Sequence, residues 1–97
     1  MFVSINEITA TNSSQLRMWQ ANFELNVKKS LFELGCLSSE IIKISENKVI
    51  IINKWPDKDS IQKVLDIYKQ NLKEEQLTLK MERKIGEIVF HEINVNK

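Results

Sequence analysis

The spacing of apolar and polar residues changes period several times along the chain, and each change marks a new element. "FVSINEITA" (Phe2 to Ala10) alternates. Val3, Ile5, Glu7 and Thr9 fall on one side and Phe2, Ser4, Asn6 and Ile8 on the other, a pattern of period two, rich in β-branched residues, that predicts a first strand. "TNSS" (Thr11 to Ser14) then offers side-chain oxygens suited to capping a helix. Behind it Leu16, Trp19, Phe23, Val27, Leu31 and Leu34 keep helical spacing and predict a helix over roughly residues 15–34. Gly35 stands where a left-handed residue closes such a helix. A second series, Met18, Leu25 and Phe32, lies roughly opposite the first. Three large apolar side chains in one row predict that the back of the helix is covered by the segment Leu77 to Met81, by the C-terminal segment or by a second subunit.

"LSSEIIKI" (Leu37 to Ile44) and "KVIIINKW" (Lys48 to Trp55) read as two strands joined by "SEN", a connection short enough for an antiparallel hairpin. The run Val49 to Ile52 is apolar on both faces. An antiparallel strand ordinarily keeps one wet face, so helices are expected on one side and a second copy of the chain on the other. Pro56 ends the ladder, and Asp57, Asp59 and Ser60 offer caps for a second helix carrying Ile61, Val64, Leu65, Tyr68 and Leu72 on one face. "KEEQLTLKMERK" (Lys73 to Lys84) fits two periods at once and is read as a loop or a short helix, with the basic patch "KMERK" as a solvated turn. "EIVFHEINV" (Glu87 to Val95) is expected to be the last strand.

Composition narrows the classes. A chain of 97 residues reads as one domain, residues 1–97, whose thin core buries about 60–65% of the unfolded surface. A net charge of +1 with interspersed signs lacks the basic footprint of a nucleic-acid binder, and the first and third strands lack aromatic base-stacking positions. No apolar run reaches the roughly 18 residues of a membrane span, and "MFVSINEIT" has neither a basic leader nor a cleavage site, so a cytoplasmic protein is expected, without nucleic-acid or membrane partners. With a single cysteine and a single histidine, no internal disulfide or Cys/His zinc cluster can form. Cys36 is read as a small buried thiol.

The order βαββαβ is that of an α+β, ferredoxin-like sheet with both helices on one face. Two such sheets meeting through their bare faces make a dimeric α/β barrel. The chain resembles the antibiotic biosynthesis monooxygenase (ABM) domain of the dimeric α/β-barrel superfamily in four features: its first strand "FVSINEITAT", the Gly-Cys after a long helix in "LGCLSSEIIK", the tryptophan closing "IIINKW", and the polar entry "PDKDSIQKV" to the next helix.

This resemblance implies a pocket between sheet and helices in which dioxygen oxidises a small aromatic or quinol without flavin, metal or haem. It also implies a homodimer through sheet faces. Asn6 is the candidate that the resemblance places on the first strand as a donor orienting substrate or a peroxy oxygen. His91, the sole imidazole, is the candidate base. Trp55, Tyr68 and Trp19 are candidate walls for a flat apolar or aromatic ligand. Each residue also has a plain structural role open to it, so the alternative is a non-catalytic homodimeric module that binds a small ligand or serves structure. Haem degradation would need an iron ligand in the second helix, and "SIQKVLDIYKQNLKEEQ" contains no histidine.

Overall fold

The computed structural model describes the backbone of residues 1–75 and 79–95 and the side chains of residues 1–66 and 79–95. Strand β1 (Phe2–Ala10) leads into helix α1 (Ser13–Asn22), a π-helical turn (Phe23–Val27) and helix α2 (Lys28–Glu33). Strands β2 (Ser38–Ser45) and β3 (Lys48–Trp55), helix α3 (Lys58–Glu75) and strand β4 (Leu79–Glu87) follow. The four strands form one sheet in the order β2-β3-β1-β4 with every pairing antiparallel. This is the ferredoxin-like βαββαβ architecture.

Local chemistry sets the helix ends. Asn12 is the N-cap of α1, its side chain accepting the Gln15 N–H at 2.8 Å, while the Gln15 side chain accepts back from the Thr11 N–H. At the far end Gly35 adopts φ +109°, and the Gly35 and Cys36 amides bond back to Phe32 and Leu31, a Schellman closure that only a residue without Cβ makes cheaply. Asp57 caps α3, accepting from both the Ser60 N–H and the Ser60 hydroxyl.

Between these ends the helix is not uniformly α. Trp19, Phe23, Val27 and Leu31 are spaced by four three times in succession, which an α-helix of 3.6 residues per turn would carry off one face. The π-helical turn Phe23–Val27 takes up one extra residue and returns Leu31 to the sheet side, where Leu16, Phe23 and Leu31 are all buried. The back of the helix is a different matter. Met18 and Leu25 are 73% and 78% exposed and Phe32 43%, so within one chain the expected covering of this row is not found among the described residues.

The core lies between helices and sheet: Ile8, Ala10, Leu16, Phe23, Leu31, Cys36, Val49, Ile51, Trp55, Ile61 and Val64. β3 alternates strictly, with Val49, Ile51, Asn53 and Trp55 buried beneath the helices and Ile50 and Ile52 on the outer face. The two-sided apolar run is thereby resolved into an inner and an outer set.

The last strand lies elsewhere than the alternation of residues 87–95 suggests. β1 has two edges; β3 takes one, and Leu79 to Glu87 takes the other over its whole length, from Ala10↔Leu79 to Phe2↔Glu87. Residues 88–95 run past the end of β1 outside any strand, with the Ile88 N–H bonded to the Met1 carbonyl at 2.9 Å. "KMERK" is accordingly not a turn but part of β4, and of the segment read as a loop or a short helix, residues 73–75 continue α3 to Glu75. Opposite inward-facing Ile8 and Asn6, Met81 and Arg83 face the helices, while Lys80, Glu82 and Lys84 face outward.

Candidate active site

The inner face of the sheet carries a group of polar side chains among its apolar ones. Ser4 and Asn6 on β1 and Asn53 on β3 are buried at 5%, 6% and 5% exposure. The register places Ser4 opposite Asn53 and Asn6 opposite Ile51, so the two amides are diagonal neighbours on one face, about 7–8 Å apart at their Cα atoms. Above them the π-helical turn and α3 leave a cavity of about 70 Å³. By the same measure one water needs only about 10–15 Å³, so this is space for a small molecule or several waters.

Trp19, Phe23, Val27 and Leu31 wall the cavity from the helix, Trp55, Ile51 and Met81 from the sheet, and Ile61, Val64 and Leu65 from α3. The Trp19 and Phe23 rings stack at 5.6 Å between centroids and 26° between planes, forming one aromatic panel. The Trp55 indole is pinned, its Nε1–H donating to Ser4 Oγ at 3.2 Å in a buried bond. Asn6 is also held: Arg83 Nε donates to its Oδ1 at 2.5 Å, and Arg83 Nη2 lies 3.8 Å from Met81 Sδ. Because the two ends of an amide diverge, fixing Oδ1 on Arg83 fixes the direction of the Nδ2 donors too. Asn53 differs. Its Oδ1 is fully buried and, among the described residues, no group donates to it; Ser39 Oγ on β2, opposite Asn53 in the ladder, is likewise buried and without a bond among them.

Of the residues singled out from sequence, Asn6, Trp55 and Trp19 come together around this cavity. The Tyr68 side chain lies outside the described residues. His91 is exposed on the segment after β4 and is not among the cavity walls. Arg83 and Asn53 were not foreseen. Arg83 lies in the segment expected to be a turn, and its one sequence signal is its period-two placement with Leu79 and Met81; the signal at Asn53 is a polar residue on the same face of β3 as Val49, Ile51 and Trp55. Cys36 is buried below α3, its thiol donating to the Ser38 carbonyl at 3.2 Å, and burial holds its pKa above the ordinary thiol value, the state of an unreactive sulfhydryl. Among the described residues no group of three His, Cys, Asp or Glu side chains is placed to hold a metal ion, and no helix is long and apolar enough to cross a membrane.

The fold has solved counterparts. A dimeric ferredoxin-like protein from an uncultured marine organism superposes with a TM-score of 0.74 at 18% identity, over 97% of this chain and 100% of that one. SnoaB, a cofactor-independent oxygenase from Streptomyces nogalater, gives 0.66 at 12% identity, over 99% and 97% of the two chains. The chain shares the fold of these proteins. A monooxygenase from the gene ActVA-Orf6 of Streptomyces coelicolor, solved in complex with Nanaomycin D, gives 0.66 at 13% identity, over 95% and 92%. At such identities the likeness establishes the ferredoxin-like fold and nothing finer. No family model matches the chain, and no curated protein matches it.

Proposed function

We propose that the chain is a homodimeric, cofactor-independent monooxygenase of the ABM type that oxidises a small electron-rich phenol or hydroquinone with dioxygen. The observation that carries this reading is the Asn6–Arg83 pair in the wall of an otherwise apolar, aromatic-panelled cavity. A phenol ionises near pH 10 in water. A guanidinium, always charged, favours the phenolate beside it, and an apolar site strengthens that attraction.

In the proposed reaction the phenolic proton passes to water at the cavity mouth and the anion is held against Arg83 and the Asn6 amide. A ring carbon of the anion bonds to one atom of O2. Cleavage of the O–O bond then leaves that atom on the ring as a carbonyl, and the other departs as water. A phenol plus O2 thus becomes a quinone plus water, and the four electrons that reduce O2 come from the ring itself. Asn6 Nδ2 orients the developing peroxy oxygen, as a preorganised donor should. Trp19, Phe23 and Trp55 hold the ring and exclude water.

The dimer follows from the outer face of the sheet. Val3, Ile5, Ile42, Ile50 and Ile52 form a contiguous apolar patch there, rimmed by Glu7, Lys48 and Lys54. A permanent interface of this kind buries upwards of about 2,000 Å², and the marine ferredoxin-like counterpart is described as dimeric.

A second reading is favoured by one specific observation: among the described residues, the cavity walls include no carboxylate, imidazole, thiol or lysine. On that reading the same dimer binds a small aromatic ligand without turning it over. Oxygen uptake with a panel of phenols and hydroquinones separates the two. The oxygenase reading expects consumption above buffer, slowed tenfold or more by Asn6→Ala, which corresponds to about 1.4 kcal/mol of lost transition-state stabilisation. It expects His91→Ala to leave rate and pH profile unchanged, since that side chain is exposed. Binding without oxygen uptake across the panel favours the second reading.

A further inference from the structure

We propose that residues 88–95 are an exchanged arm: in the dimer they leave their own subunit and pair as an added strand with the free edge of β2 in the partner. This deepens the reading of the outer sheet face as a homodimer interface and rests on it.

The chemistry of the segment asks for a partner. Val89, Phe90, Ile93 and Val95 are between 70% and 89% exposed, and beyond the bond from the Ile88 N–H to the Met1 carbonyl the segment belongs to no strand. Its sequence nonetheless alternates as a strand does, with Val89, Ile93 and Val95 on one side and Phe90 on the other. Large apolar side chains at this density belong to a buried strand, and left bare they mark a contact surface.

Its own subunit is poorly placed to supply that contact. β4 ends opposite Phe2, at the end of the sheet where β2 begins. The arm leaves the sheet there heading away from it, and would have to reverse to run along its own β2. Residues 87–95 contain neither glycine nor proline to make that turn. On a partner the sheet offers two open edges, β2 and β4. β4 carries five charged residues in nine, the usual guard of an exposed edge, whereas β2 carries two in eight together with Ile41, Ile42 and Ile44. Ile42 belongs at once to this edge and to the outer apolar patch, so an arm on β2 continues the same interface.

Dimensions favour the exchange. Lys80, Glu82 and Lys84 make the outer face of β4 charged, which leaves three strands for apolar contact, about 14 Å by 30 Å or on the order of 400 Å² in plan. A permanent dimer takes upwards of about 1,000 Å² from each subunit, so the sheet face by itself falls well short. Eight extended residues reach about 26 Å. Crossing the roughly 10 Å between packed sheets uses about three of them, and the rest suffice for main-chain pairing along an edge.

Isotope-filtered NMR on dimers mixed from labelled and unlabelled full-length chains tests this. Contacts between chains are expected to join residues 88–95 to residues 38–45, with slow amide exchange in both segments of the dimer and fast exchange of the arm in the Ile50→Asp monomer. Phe90→Glu with Ile93→Glu changes side chains that are exposed in the single subunit, so the circular dichroism spectrum should stay the same while the dimer Kd rises at least about a hundredfold. Arm contacts confined to one chain, arm contacts with the partner's Met18, Leu25 or Phe32 in place of β2, or an unchanged Kd in the double variant overturns the proposal. So does arm protection that persists in the monomer. A dimer without contacts between arm and β2 leaves the outer-face interface standing and sinks the exchange alone. A protein that is monomeric at every concentration removes both.

Discussion

The two faces of the sheet invert the usual arrangement at their centres. Beneath the helices, where apolar groups belong, stand Ser4, Asn6 and Asn53, all buried. On the outer face, where polar groups belong, stand Ile5, Ile42, Ile50 and Ile52, half-buried or exposed. Away from these centres each face obeys the rule: Ile8, Val49 and Trp55 are fully buried inside, and Glu7 pairs with Lys48 at 2.9 Å outside. Departures from the binary pattern gather where a sequence serves something besides its own folding. The buried Ser4, Asn6 and Asn53 inside and the isoleucines outside are two such departures.

The largest effect separates the faces at adjacent residues. Ile51→Asp places a carboxylate in the core at a cost of several kcal/mol, comparable with the roughly 5–15 kcal/mol that holds a small domain together, and should leave no folded protein by circular dichroism. Ile50→Asp points the same charge outward and should give a folded monomer at micromolar concentration by light scattering. An Ile50→Asp protein that remains dimeric would remove the outer face from the interface.

The next effect compares the two asparagines inside. Asn6→Leu strands the Arg83 Nε–H and should cost about 1–3 kcal/mol in denaturant unfolding. Asn53→Leu removes an unbonded buried oxygen and should stabilise by on the order of 1 kcal/mol. Equal destabilisation by both would mean that Asn53 is bonded in the native protein, and the contrast between the two amides would collapse.

Deleting Leu25 from the π-helical turn tests whether the inner face needs the extra residue. The helix should revert to continuous α geometry with a small change in Tm, while affinity for aromatic probes falls as Trp19 and Phe23 shift over the cavity. Unchanged affinity would show the turn to be incidental to the site.

The smallest effect lies on the outer face. The hydrogen bond and charge of Lys48 hold the Glu7 carboxyl below its ordinary pKa, and Glu7 raises that of Lys48. Stability from a depressed carboxylate is present above its unfolded pKa and is lost as pH falls through the lower folded value. Stability from the raised lysine is complete below its unfolded pKa and is lost as pH rises through the higher one. The pair therefore acts across the neutral range. In a lone subunit both groups are exposed and Glu7→Gln should scarcely move Tm at pH 7. In an assembled dimer whose interface covers them, a double-mutant cycle with Lys48→Met should show clear coupling, which sharpens the distinction between an open and a covered outer face.

The sequence by itself determined most of the architecture, because periodicity is local. The alternation of Phe2 to Ala10, the stripe from Leu16 to Leu34, a cap within Thr11 to Ser14 and the closure at Gly35 involve residues a few positions apart and survive in the structure nearly as read. The same periods put Asn6 on one side with Ser4 and Ile8, and Trp19 on one stripe with Phe23, but do not say which side of the sheet faces the helices. What tertiary structure decided were the questions of competition and of partners. Two segments, 79–87 and 87–95, both alternate like strands, and only the single free edge of β1 settled that the first takes it, carrying Arg83 inward and leaving His91 outside the sheet. Whether a polar strand residue is satisfied depends on side chains far away in sequence: Arg83 reaches Asn6 across 77 positions, and none of the described side chains reaches Asn53 Oδ1. Periodicity tells which side chains share a face; which face lies inside, and what each side chain meets there, depends on the rest of the fold.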